Sequence, residues 1–264
     1  MTAANSHAFD LKDYIMHHVQ NAPEWELPFF PAVKLPAFLT LHGLMLVLCA
    51  VFLIIIFCFL YRKNQRVPTG LTNVLEMMVV FIRDEIAIPS LGPEDGRRFT
   101  PLFCTFFFFI LGLNLMGMIP VFSTATANVS VTGALAVITF CFMTIGAVLK
   151  NGPAGFFKGL MAPGAPGILQ FLLVPLEFLG LFIKTVALTV RLFANMLAGH
   201  IVILSLLGLV VLLGAAAIPA ILLAALIAVL EVVVAFLQAY IFTLLSAVFI
   251  GHTYHPQHGE SSLH

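Results

Sequence analysis

The chain has 264 residues, of which 61% are hydrophobic and 9% charged, with a mean hydropathy of +1.09. A water-soluble domain carries about a quarter charged residues, so this composition excludes an ordinary soluble fold. The 12 basic side chains balance 12 acidic ones, which removes any bulk electrostatic case for nucleic acid as a partner.

Charges fall between long uncharged stretches. None of Asp, Glu, Lys or Arg occurs between Arg98 and Lys150 or between Arg191 and Glu231, and either gap exceeds the roughly 20 apolar residues that span a bilayer. Residues 1–38 are polar or mixed, contain Pro23, Pro28, Pro31 and Pro36, and read as an extramembrane arm. They hold no apolar h-region, so a cleaved signal peptide is not expected and the mature chain is expected to begin near Met1. A single membrane domain over 39–251 follows.

Its first span covers about 39–61 and ends at Arg62, Lys63 and Arg66, cations that mark the cytoplasmic side. Residues 70–88 are apolar but broken by Glu76, Arg83, Asp84 and Glu85, the pattern of an amphipathic helix lying along the interface. Further spans are expected over about 99–119 and 131–149, separated by Pro120 and the polar STATANVS segment. Arg97, Arg98, Lys150 and Lys158 keep one side cytoplasmic.

The Gly- and Pro-rich stretch 152–167 reads as a loop. The fourth span, about 168–213, is longer at about 1.5 Å per residue than the hydrocarbon core is thick, so it requires either a steep tilt or a break. After a turn at GAAAIP, a fifth span runs over about 220–251. The tail 252–264 is then cytoplasmic, its histidines solvated, and the N-terminus periplasmic. The fold class is an all-α membrane protein with five transmembrane helices, an interfacial helix and a long tilted helical hairpin. Cys49, Cys58, Cys104 and Cys141 lack CxxC spacing and read as small buried hydrophobes, so neither a metal nor a cofactor is expected.

A charge at mid-bilayer costs at least about 2.5 to 3.5 kcal/mol, which singles out Glu177, Lys184, Arg191, His200 and Glu231. The first three are seven residues apart. Each step therefore turns about 700°, close to two full turns, and the three share one helix face with Asn195. Glu231 and Gln238 repeat that spacing on the last span. With the hairpin turn near residue 215, Arg191 falls level with Gln238, and His200 with Glu231 about 13 Å nearer the outside.

A His and Glu pair exchanges protons near neutral pH, whereas Arg stays charged. The outer level thus has the composition of a relay, or of a static bridge, and the inner one of a barrier. Lys184 either pairs with Glu177 or snorkels to the cytoplasmic side, and Gln238 is also a candidate packing hydrogen bond. His42 reads as an interfacial residue. Arg191 and His200 are about 900° apart on a straight helix, on opposite faces. Either the span is kinked or tilted, or the relay meets another wall of the bundle.

At Arg191 to Gly199 the string RLFANMLAG closely resembles the RLFxNMxAG signature of bacterial-type subunit a of F-type ATP synthases. The likeness extends to Glu177 and Lys184, to LQAYIFTLLSAVFI (237–250) and to NLMGMIP (114–120), covering most of the membrane part and least of the N-terminal arm. Gly117 stands where the best-known bacterial form has an aspartate. His200 and Glu231 exchange the helices that hold glutamate and histidine there.

The resemblance implies a non-catalytic stator subunit with two offset half-channels, in the bacterial inner membrane. Arg191 would be the essential charge barrier, Asn195 and Gln238 rotor-facing polar groups, His200 and Glu231 the outer relay, and Glu177 and Lys184 the inner half-channel. Implied partners are the ring of c subunits, which the hairpin would face, the b subunits of the peripheral stalk, the rest of the ATP synthase and the bilayer. The relay pair favours protons over sodium. The alternative, a secondary transporter or antiporter, usually carries an inverted repeat with broken helices in both halves, and no such repeat is visible.

Overall fold

In the computed structural model, residues 24–27, 30–34, 40–60, 70–119, 122–160, 167–213 and 218–254 are described. The cations Arg62, Lys63 and Arg66, the chain start, the GAAA of the hairpin turn and the tail from 255 lie outside them. Among the described residues five helices are long and apolar enough to cross a membrane, as the uncharged stretches require. Two short strands, β1 (Glu24–Leu27) and β2 (Phe30–Lys34), pair antiparallel in the N-terminal arm.

Thr40 opens the first span, α1 (Leu41–Ile55), its hydroxyl accepting from the Gly43 N–H at 3.3 Å, a side-chain cap for an otherwise orphan donor. The helix continues as a π-helical turn, Ile56–Leu60. The amphipathic stretch forms α2 (Leu71–Phe81) and runs on through Ile82–Ala87 and Ile88–Leu91. Leu75, Ile82, Ile86 and Leu91 make its buried stripe. On the exposed side Arg83 donates two hydrogen bonds to Asp84, at 2.7 and 3.0 Å, and this holds the Asp84 carboxyl below the usual range.

Gly92 (φ 82°) turns the chain into α3 (Pro93–Gly117), which begins six residues earlier than the apolar run suggests. Pro93 at the first position and Glu94 and Asp95 in the first turn suit a helix N-terminus, so polar residues extend the helix beyond the apolar core. The third span is α4 (Val129–Cys141), continued by Phe142–Gly146 and Ala147–Gly159. Residues 153–159, expected as loop, are helical. Gly152 takes φ 74°, which breaks the helix, and Pro153 then starts a new turn with φ already suited to it.

The hairpin consists of α5 (Gly167–Leu213, 47 residues) and α6 (Ile218–Tyr254, 37 residues). Pro175 lies inside α5, yet the helix is continuous. At about 70 Å it exceeds the hydrocarbon core more than twofold, and it does so without a break.

The core is the aromatic face of α3 (Phe103, Phe106, Phe107, Phe108) packed on Phe242 and Ile250 of α6 and on Leu135 and Met143 of the third span. Phe106 meets Phe242 edge to face at 5.7 Å. Thr139 and Ser246 join α4 to α6 through buried hydroxyls 3.1 Å apart, the polar contact that replaces a hydrophobic drive between helices in lipid. Cys49 is buried and Cys104 and Cys141 partly so, but Cys58 is exposed, at the edge of an apolar groove between α1 and α3.

The ends assigned to the cytoplasm are tied together. Lys150 bonds Asp95 and lies 5.2 Å from the Tyr254 ring centroid, and the Asn151 amide donates to the Thr253 and Tyr254 carbonyls. Gly251 brings α6 against the Ser90 carbonyl so closely that a Cβ there would collide with it. Gly251→Val is expected to cost about 1 to 3 kcal/mol through overpacking. The measurement is the amount and thermal stability of the chain in purified membranes, and wild-type values would mean that the two helices part freely there.

Candidate functional site

Three groups of polar side chains line the hairpin. The outermost centres on His200 of α5 and Glu231 of α6, with Nε2 and Oε1 3.6 Å apart. Glu231 is only 5% exposed, and neither carboxyl oxygen has a hydrogen-bond partner among the described residues. A buried carboxyl in that state calls for a proton or a further partner.

His200 Nε2 also lies 2.9 Å from the Thr124 hydroxyl, which donates to the Gly117 carbonyl at 3.3 Å. Thr124 therefore accepts from the His200 ring. Two glycines make room for this group. A Cβ on Gly199 would come within 2.7 Å of Glu231 Oε1, and one on Gly117 within 2.9 Å of the Thr124 methyl. Gly117 thus admits the Thr124 side chain to the same pocket.

Nearby, the Asn114 amide donates to the Ala235 carbonyl at 3.5 Å and fastens α3 one turn from Glu231. His42 is buried within the protein, 3% exposed. The Asn128 carbonyl oxygen accepts from the Ser130 N–H at 2.8 Å, which turns its amide nitrogen toward His42 Nδ1 at 3.5 Å. His42 Nδ1 is then the acceptor, and Nε2–H faces the Ser123 hydroxyl at 3.4 Å.

Arg191 stands one level inward. Leu188, Leu192 and Met196 form the buried stripe of α5, and Arg191 falls outside it, exposed between Val190 and Ala194. Among the described residues it enters no ion pair. Asn195, not Arg191, reaches the last helix: its amide donates to Gln238 Oε1 at 3.5 Å. The expected level of Arg191 with Gln238 is thus displaced by about one turn, because packing of the side chains, not the centre of the turn, sets the register. Arg191 and His200 occupy different faces of one continuous helix, so the outer group meets another wall of the bundle.

Toward the ends away from the hairpin turn, Glu177 Oε1 lies 3.8 Å from Lys184 Nζ and 3.8 Å from His252 Nε2. Lys184 Nζ also sits 5.7 Å from the Phe249 ring centroid. A cavity of about 20 Å³ opens here among Phe156, Leu160, Glu177, Leu181, His252 and Thr253. His252, expected in the solvated tail, is thus drawn onto the hairpin; it lies fourteen residues, two seven-residue steps, beyond Gln238. The described residues hold no cluster of three or more His, Cys, Asp or Glu fit for a metal ion.

The model of the ATP synthase A chain family matches residues 43–251. Over 216 residues the chain is 48% identical to ATP synthase subunit a of Anaeromyxobacter dehalogenans, covering 80% of this chain and 57% of that protein. With the subunit a of Chloroherpeton thalassium it shares 42% identity over 263 residues, 94% of this chain and 78% of the relative. The chain therefore spans little more than half the length of some relatives and most of others. With its five apolar helices and a match across nearly the whole membrane part, the chain belongs to the ATP synthase A chain family.

Proposed function

We propose that this chain is the non-catalytic, proton-carrying stator subunit of the membrane sector of a bacterial ATP synthase. It works against a ring of c subunits and is held by the b subunits of the peripheral stalk. It lies in the inner membrane with its N-terminus periplasmic and its C-terminus cytoplasmic. The observation that carries this reading is Arg191, a permanent cation exposed on an apolar helix face with no acid beside it among the described residues. Such a charge is stable in a membrane only when another component supplies the carboxylate.

The two polar groups at either end of the hairpin supply the remaining functions. A proton from the periplasm reaches Glu231 through His200, then neutralises a ring carboxylate that has just left Arg191. The neutral carboxyl rotates through lipid and releases its proton on the side of Glu177 and Lys184. Arg191 favours loss of that proton, because a nearby cation lowers an acid's pKa, and it separates the two routes. Asn195 and Gln238 hold the two helices together beside it. The membrane potential contributes about 2.3 kcal/mol per charge per 100 mV.

Arg191→Ala is expected to abolish ATP-driven proton pumping in inverted vesicles while ATP hydrolysis by the detached soluble sector persists. Undiminished pumping would sink the proposal. Gly199→Ala puts a methyl group where it displaces the Glu231 carboxyl, so pumping should fall several-fold. Gly133→Ala, whose added Cβ would meet Thr189 at an ordinary 3.7 Å, should leave pumping unchanged. Equal rates for the two glycine variants would mean that the seating of Glu231 does not govern flux.

A further inference from the structure

We infer that His252 is a proton carrier on the cytoplasmic side, the last among the described residues, taking the proton that Glu177 receives and delivering it to water. This rests on the proposed inner half-channel, in which Glu177 takes the proton from the ring. Helix ends usually fray, but this one is clamped. The Thr253 and Tyr254 carbonyls accept from Asn151 of the third span, Thr253 bonds back to Ile250 at 2.9 Å, and Gly251 packs against Ser90. Residue 252 is therefore held over α5, where its ring faces Glu177 Oε1.

The 3.8 Å separation exceeds a direct hydrogen bond. The cavity of about 20 Å³ beside the two groups matches the space that one water needs, and such a water relays a proton between them. His252 is 58% exposed and Glu177 44%, so the imidazole lies closer to bulk solvent.

Lys184 and Glu177 are the charged groups that face His252 from α5. The third span contributes Phe156, Gly159 and Leu160 to the cavity wall, and Asp95 and Lys150 form a separate group beside Tyr254. A lysine ammonium already holds its protons, so it fixes charge rather than accepting more. Imidazole is the side chain that both accepts and releases a proton near neutral pH. In the transfer, the O–H bond of protonated Glu177 breaks as an N–H bond forms on neutral His252 through the intervening water. The imidazolium then gives one proton to cytoplasmic water, and both side chains return to their starting states.

The test uses the assembled synthase in liposomes, with proton flux normalised to assembled complex and the pH on the soluble-sector side varied from about 5.5 to 8, across the imidazole range. His252→Gln should lower flux several-fold and flatten its dependence on that pH. His252→Gly should be restored in part by added imidazole. Changing the pH on the opposite side should affect wild type and variants alike. Wild-type flux and pH profile in His252→Gln, or failure of imidazole to restore His252→Gly, would overturn the assignment. Glu177→Gln separates the two readings. If it blocks flux while His252→Gln does not, only the role of His252 falls; if it too is silent, the inner half-channel falls with it.

Discussion

A guanidinium keeps its proton under all ordinary conditions, so a chain that carries Arg191 within a membrane span must arrange its surroundings rather than neutralise it. The arrangement here is unusual because the bundle does not shelter the charge. Leu188, Leu192 and Met196 face the protein interior, and the arginine stands beside that stripe, exposed. The acids nearest in the fold have other neighbours: Glu177 faces Lys184 and His252, and Glu231 faces His200. Among the described residues the positive charge is thereby left without an acid of its own chain, the feature on which the proposed function rests.

Close approach of helices governs the rest. Polar groups in lipid must meet each other, and they meet where a side chain is missing. Gly199 leaves the volume that Glu231 occupies, and Gly117 leaves the volume that Thr124 occupies beside His200. Adding a methyl group at either position would act on a side chain of another element, the Glu231 carboxyl on α6 or Thr124 in the segment after α3. The same device recurs on the other side, where Gly251 admits the backbone near Ser90 and Gly146 admits the Tyr254 hydroxyl. The resulting contacts fix the last helix end on which His252 sits.

The spans were legible because apolar runs bounded by charges admit one solution in a bilayer. Their ends were less so. Residues 93–98 and 153–159 contain Gly, Pro and charges and look like loop, but Pro at a first turn starts a helix as readily as it ends one. Seven-residue spacing made the Glu177 and Lys184 contact readable, and the hairpin made that of His200 with Glu231 readable. It failed by a turn for Gln238, because the crossing of two tilted helices depends on which side chains interlock. Thr124 and His42 were hidden for another reason. Their neighbours are distant in sequence, and no periodicity connects an isolated threonine in a polar segment to a histidine on α5.

Distances along α5 supply a last argument. Nine residues from Arg191 to His200 and fourteen to Glu177 correspond to about 13 and 21 Å of helix. A proton passes between groups only within hydrogen-bond reach, about 2.6 to 3.2 Å, or through one water. Neither interval can be crossed by side chains of this hairpin, and the exposed Phe182, Ile183, Val186 and Val190 in the longer one are apolar. A route that ends at Glu231 on one side and begins at Glu177 on the other is therefore incomplete within the chain. In the function proposed above, the ring carboxyl completes that route by going round through lipid, and Arg191 bars the short way between the two groups.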